Sequence, residues 1–148
     1  MYTTYDEWPK IAEESYNKNI SKVEIKDIDH IVFAGMGGSG TIGDIFSSIL
    51  SKRQTHTTVV KGYHLPKTVN DRTLVVCTSI SGNTDETLSI LNESKTSNGK
   101  FIAFSSGGKM IGICKKNAID YRIIPEYINP RASLVAYIYS MLKVLQPI

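Results

Sequence analysis

Thr73-Leu-Val-Val-Cys-Thr-Ser-Ile-Ser-Gly-Asn-Thr-Asp-Glu-Thr87 runs from an apolar, β-branched stretch straight into a cluster of hydroxyls and a helix-start signal. Its first five residues read as a buried strand. Asn83 as N-cap and Glu86, closing a capping-box-like pair, read as the start of a helix that carries Leu88 and Leu91. Backbone N–H groups at a helix N-terminus lack intrahelical partners and carry partial positive charge. The hydroxyls of Ser79, Ser81 and Thr84 around such a terminus can wrap a phosphate without any lysine. An ordinary capped strand–turn–helix accounts for the same residues equally well on local sequence alone.

The same grammar recurs on both sides of this stretch. His30-Ile-Val-Phe-Ala34 reads as a strand that opens into Gly35-Met-Gly-Gly-Ser-Gly40, and Ile42, Ile45, Phe46, Ile49 and Leu50 then follow helical spacing over about 12 residues. Residues 56–60 form a second strand, followed by a loop over 61–66. Asn98-Gly99 stops the helix that follows the third strand. Residues 101–104 form a fourth strand, opening into Ser105-Ser-Gly-Gly108 and a short helix through Cys114, and residues 121–124 form a fifth. Strands alternating with helices at short spacing predict an α/β fold: a three-layer, doubly wound, flavodoxin-like parallel sheet of five strands in the order 2-1-3-4-5. In such a sheet, ligands sit beyond the carboxyl ends of the strands, at the switch between the first and third. The 35–40 and 79–84 loops both emerge there, and their convergence favours the phosphate reading over the bare cap.

The two ends of the chain frame this unit. Residues 5–19, within an N-terminal segment of 1–20, read as a helix with Asp6 as N-cap, Pro9 in the first turn and Trp8 as a hydrophobic anchor. Residues 130–146 hold a packing helix with Leu134, Ile138, Met141, Leu142 and Leu145 on one face, while Val135, Tyr137, Tyr139 and Val144 cover much of the rest. A helix apolar nearly all round is buried on several sides. A single domain burying it on one side predicts a partner surface, from a second domain or a homodimer mate.

Composition narrows the function classes. At 148 residues the chain has the size of one domain, and 41% hydrophobic with 21% charged residues is ordinary for a globular protein. The net charge of +3 comes from scattered lysines without a stripe, which argues against nucleic acid as a partner. No apolar run approaches the length of a membrane span, and the polar, acidic N-terminus does not read as a secretion signal. Cys77 and Cys114 lack zinc spacing and read as buried thiols in a reducing compartment, so a cytoplasmic setting is expected. Gly35–Gly40 matches the letter of a dinucleotide fingerprint, but Val59, Val60 and Lys61 stand where its ribose-binding acid belongs. No cofactor and no metal is expected, and a dinucleotide-binding domain is the weakest of three readings.

Gly-Met-Gly-Gly-Ser-Gly, Ser-x-Ser-Gly-Asn-Thr-x-Glu-Thr, Ser-Ser-Gly-Gly and Asn-Pro-Arg-Ala-Ser occur here in one order. Together they resemble the sugar isomerase (SIS) domain, specifically the N-terminal half of bifunctional phosphoglucose/phosphomannose isomerases. The resemblance covers essentially the whole chain, including Glu7-Trp8-Pro9, as a single domain over 1–148. It implies that Ser79, Ser81 and Thr84 bind the sugar phosphate, that Gly38 and Ser39 border the sugar, and that Arg131 stabilises an enediolate intermediate. A fixed guanidinium offers directed donors to a developing oxyanion; read without the resemblance, Arg131 is a surface arginine at a helix start. Aldose–ketose interconversion also needs a general base and a ring-opening group. In the family a glutamate, a histidine and a C-terminal lysine of the second half supply these, and this chain holds none of the three. Glu126 and His64 are the local substitutes and read as structural or exposed, while His30 and His56 read as neutral edge residues. The implied function is the phosphosugar-binding domain of an isomerase that interconverts glucose 6-phosphate or mannose 6-phosphate with fructose 6-phosphate, completed by a second SIS domain or a homodimer partner. A non-catalytic phosphosugar-binding module is the alternative.

Overall fold

A computed structural model describes residues 5–127 and 133–148. The elements run α1 (Trp8–Asn17), β1 (His30–Ala34), α2 (Gly37–Leu50), β2 (His56–Val60), β3 (Thr73–Ser79), α3 (Asp85–Asn92), β4 (Lys100–Ser105), α4 (Gly108–Asn117), β5 (Asp120–Ile123) and α5 (Leu134–Leu145). All strand pairs are parallel and the order is β2-β1-β3-β4-β5, as the sequence predicts. β1 and β3 are buried at every position because helices cover both faces of the sheet. Ile31, Phe33, Leu74, Val76, Ile102 and Phe104 face one core, where they meet Ile11 of α1, Phe46 of α2 and Tyr137 and Met141 of α5. Val32, Val75, Cys77 and Ala103 point the other way, toward Leu88 and Leu91 of α3 and Met110 of α4. This alternation is the period of two that a strand imposes.

Element ends differ from the sequence reading where a local signal lost to its surroundings. α1 begins at Trp8 with Glu7 in the cap position and no side-chain cap bond, so Asp6 is not its N-cap; Pro9 does fall in the first turn. α2 starts at Gly37, within the glycine run, because Met36 is already extended and serves as its N-cap. β3 continues two residues beyond Cys77 to Ser79, because Thr78 and Ser79 still pair with Phe104 and Ser105. α3 ends at Asn92 in a 3-10 turn over Glu93–Lys95, so Gly99 leads into β4 and does not stop the helix. β5 starts one residue early, at Asp120.

The last helix also revises an expectation. Ala136, Tyr137, Ser140, Met141 and Val144 are buried, and α1 and α2 pack against α5 as well as the sheet. Lys143 lies 5.1 Å above the ring of Tyr16. The chain therefore covers this helix on several sides by itself, leaving Tyr139 exposed, and the apolar circumference does not by itself call for a partner. A cavity of about 310 Å³ lies at the far end of α2 and α5, between Phe46, Leu50, Arg53, Leu142 and Ile148. Among the described residues no helix is long and apolar enough to cross a membrane.

His30 is buried, yet it is not an edge residue, since β1 lies between β2 and β3. Its Nε2 is 2.9 Å from Thr58 Oγ1 and its Nδ1 is 3.3 Å from Thr73 Oγ1. Burial, followed by the neighbouring His56, holds its pKa below the ordinary histidine value, while Asp29 opposes the shift. The unfolded chain therefore binds this proton first as pH falls, so the stabilisation is complete above about 6.5 and is lost progressively below that value. Thermal melting between pH 7.5 and 5 should show the decline, and His30→Gln should flatten it. Cys77 and Cys114 are buried free thiols, as expected. Burial pushes the Cys114 pKa up to about 11 and that of Cys77 higher still. Neither thiol should react with a thiol-specific reagent at pH 8 until the chain is unfolded.

Candidate functional site

Three loops leave the carboxyl ends of β1, β3 and β4 and meet at the switch in strand order. The first two are in contact: a Cβ placed on Gly35 would stand 3.0 Å from the carbonyl oxygen of Thr78. At the end of β3, Ser79 is buried, and its Oγ accepts the backbone N–H of Gly82 at 3.1 Å. Ser79 Oγ also lies 2.8 Å from Thr84 Oγ1. Ser81 is exposed, and its Oγ accepts the N–H of Asn83 at 3.3 Å.

These bonds decide which protons are available. A hydroxyl has one hydrogen and two acceptor sites. Because backbone N–H groups occupy acceptor sites on Ser79 and Ser81, the Ser81 hydrogen remains to be given outward. One of Ser79 and Thr84 must donate to the other, which leaves the second hydrogen of that pair free. Thr84 precedes α3 with extended backbone, and no side-chain bond caps that helix. The result is an arc of oriented O–H donors beside a helix N-terminus whose N–H groups no side chain occupies, an arrangement suited to an anion.

Of the residues singled out in the sequence, the structure brings Ser79 and Thr84 into hydrogen-bond contact, with Ser81 exposed on the same loop. Gly38 is exposed and Ser39 buried in the first turn of α2, where the Ser39 N–H donates to Met36 O at 3.0 Å. Arg131 lies outside the described residues, as do the first part of the expected 130–146 segment and residues 1–4. Asn83 does not cap α3. Its Nδ2 donates to Ser81 O at 3.2 Å, and its Oδ1 accepts the N–H of Lys109 at 3.0 Å. Glu86 makes no cap bond either; its carboxylate faces Tyr63 and pushes that phenol above its usual pKa. His64 is exposed and pairs with Glu93 at 3.3 Å, beyond the far end of α3 and about 13 Å along the helix from Thr84. Glu126 is exposed beyond β5. Lys61 is held 2.7 Å from Asp44 of α2, so the end of β2 presents a paired cation where a ribose would need an acid. Among the described residues no group of three His, Cys, Asp or Glu is placed to hold a metal ion.

The third loop, Ser105 to Gly108, was visible in the sequence only as one of four motifs, and its structural part is larger than that. Ser106 N donates to Ile80 O at 3.1 Å, Ser106 Oγ donates to the same oxygen, and Met110 N donates to Gly82 O at 2.9 Å. Gly82 and Gly108 both have φ of +69°. A Cβ on Gly82 would collide with Gly107 O, and one on Gly108 would stand 2.5 Å from Ser81 O. The two loops thus pack backbone against backbone, which glycine alone permits. Glycines just after a β-strand and at a helix start were the available signal.

Comparison with known proteins agrees with this fold. Residues 24–145 match the SIS domain family. The bifunctional phosphoglucose/phosphomannose isomerase of Caldicellulosiruptor bescii is 37% identical over 138 residues, covering 90% of this chain and 41% of that protein. The protein of the same description from Thermoplasma volcanium is 40% identical over 106 residues, covering 72% of this chain and 33% of that one. Among solved structures, an E. coli CFT073 protein captured as a ligand complex superposes with a TM-score of 0.70 at 21% identity, over 95% of this chain and 87% of that chain. The chain spans less than half the length of these two curated relatives.

Proposed function

The chain belongs to the SIS domain family, and from that premise we propose that its hydroxyl arc binds the phosphate of a hexose 6-phosphate. It acts as the phosphosugar-binding unit of an isomerase that interconverts glucose 6-phosphate or mannose 6-phosphate with fructose 6-phosphate. The observation that carries this reading is the exposed Ser81 hydroxyl, fixed by the Asn83 N–H, beside the Ser79–Thr84 hydroxyl pair at the N-terminus of α3. Charge-assisted hydrogen bonds from such donors are about twice as strong as neutral ones. From the phosphate, the sugar extends toward Gly38 and Ser39 at the start of α2. Arg131 is assigned to the developing enediolate, where a fixed cation lowers the barrier.

The proton transfer between adjacent sugar carbons needs a base near neutral pKa. His64 pairs with Glu93 beyond the far end of α3, and the base is assigned to a second SIS unit, contributed by the same polypeptide or by a second copy. Titration of the 148-residue chain with fructose 6-phosphate should give one-to-one binding. Glucose 6-phosphate should be converted only when a second unit is present, and Arg131→Ala should then cost about a hundredfold in kcat. Full turnover by a monomer of this chain would refute the two-unit reading, and absence of binding would refute the arc. The second reading, a phosphosugar-binding module without chemistry, is favoured by the pairing of His64 with Glu93, away from the arc. Binding with no turnover in any combination would establish it.

A further inference from the structure

The exposed Ser81 hydroxyl sits on a five-residue loop between β3 and α3, and what holds it in place lies elsewhere in the chain. Asn83 holds two of the three polar groups of Ser81, through its backbone N–H on Ser81 Oγ at 3.3 Å and through Nδ2 on Ser81 O at 3.2 Å. The other end of the Asn83 amide is fixed as well, because Oδ1 accepts the Lys109 N–H at 3.0 Å. That N–H is one of the first-turn donors of α4 that have no intrahelical partner. The N-cap residue of α4 is Gly107, which has no side chain to offer. Asn83 therefore caps α4 from a different loop, 26 residues away, and the rigidity of the α4 terminus is transmitted to Ser81.

We propose that Asn83 is a positioning residue for phosphate binding: it couples the α4 N-terminus to the Ser81 hydroxyl and so pre-forms the anion arc. The proposal rests on the phosphate reading above. An amide is required because one end must accept and the other donate; aspartate offers acceptors only. Without it, Ser81 O and the Lys109 N–H turn to water, and the loop is ordered only when ligand binds, which weakens affinity. The sugar end of the ligand is untouched, so the loss is common to every ligand that shares the phosphate.

The test is calorimetric titration of the chain, as wild type, Asn83→Ala and Ser81→Ala, with fructose 6-phosphate and with inorganic phosphate, alongside thermal melting. Asn83→Ala should raise both dissociation constants by the same factor, about tenfold, the equivalent of one to two lost hydrogen bonds. A purely structural part for Asn83 predicts a lower melting temperature with unchanged affinity below it, and that result would overturn the proposal. So would a change under about twofold in Asn83→Ala while Ser81→Ala loses tenfold or more; the phosphate reading would then stand and the positioning part would fall. If neither substitution alters affinity, the phosphate reading itself fails. Should Asn83→Ala not fold, Asn83→Ser, too short to span to Lys109, carries the same measurement and the same expectation.

Discussion

Gly82→Ala is expected to destabilise the chain by about 3 kcal/mol or more and to abolish fructose 6-phosphate binding. The conformational part is about 1–2 kcal/mol, because a left-handed backbone brings a Cβ too close to the following carbonyl. The steric part is larger. At φ of +69° the added methyl would collide with Gly107 O and stand 2.6 Å from Ser105 Oγ. Backbone cannot yield as a long side chain would, so the two loops must separate. Separation breaks the Met110 N–H bond to Gly82 O and the Lys109 N–H bond to Asn83, each worth about 1 kcal/mol. Gly112→Ala supplies the contrast within the same element. It lies inside α4 with nothing within 4 Å of its Cβ position, so alanine there should stabilise by roughly 0.5–1 kcal/mol. Urea unfolding of the two variants measures both values, and equal effects would contradict the packed-loop account.

The second large effect belongs to the hydroxyls. Ser81→Ala and Thr84→Ala should each weaken fructose 6-phosphate binding by about 10- to 100-fold, the loss of one hydrogen bond to a charged group. Ser81 is exposed, so its removal should leave unfolding free energy within about 0.5 kcal/mol. Ser79→Ala should behave differently. It removes a partner from Thr84 and one of two acceptors of the Gly82 N–H, which keeps Ser79 O at 3.1 Å, so it should cost about 1 kcal/mol of stability as well as affinity. Calorimetry and urea unfolding on the three variants separate these outcomes. Unchanged affinity in both Ser81→Ala and Thr84→Ala would reduce the stretch to an ordinary strand–turn–helix.

Much of this architecture is legible in the sequence. Apolar runs such as 30–34 and 73–77 carry the period and β-branching of buried parallel strands, and short connections leave few topologies. The meeting of the 35–40 and 79–84 loops followed from strand order alone. Caps were less legible, for a physical reason. Asn83 stands three residues before Glu86, the spacing of a capping box, yet the N–H that claims its side chain belongs to Lys109 in another loop. Local spacing does not reveal such a competitor. The surroundings of α5 were hidden in the same way: its apolar circumference was plain, but that Ile11 and Trp8 of α1 would share its core was not. The three hydroxyls were legible because their motif is contiguous. The assignment of Arg131 rests on resemblance.

The packing of α1 against α5 has a consequence for how the polypeptide acquires its shape. Val23, just after α1, donates its N–H to Val144 O at 2.9 Å, so the first and last helices are tied across almost the whole chain. Contacts of such high sequence separation form late and slow the search. During synthesis the part of the β1 and β3 face that α5 covers stays open until residue 145 has left the ribosome. A nascent chain stalled before α5 should be protease-sensitive and bound by chaperones.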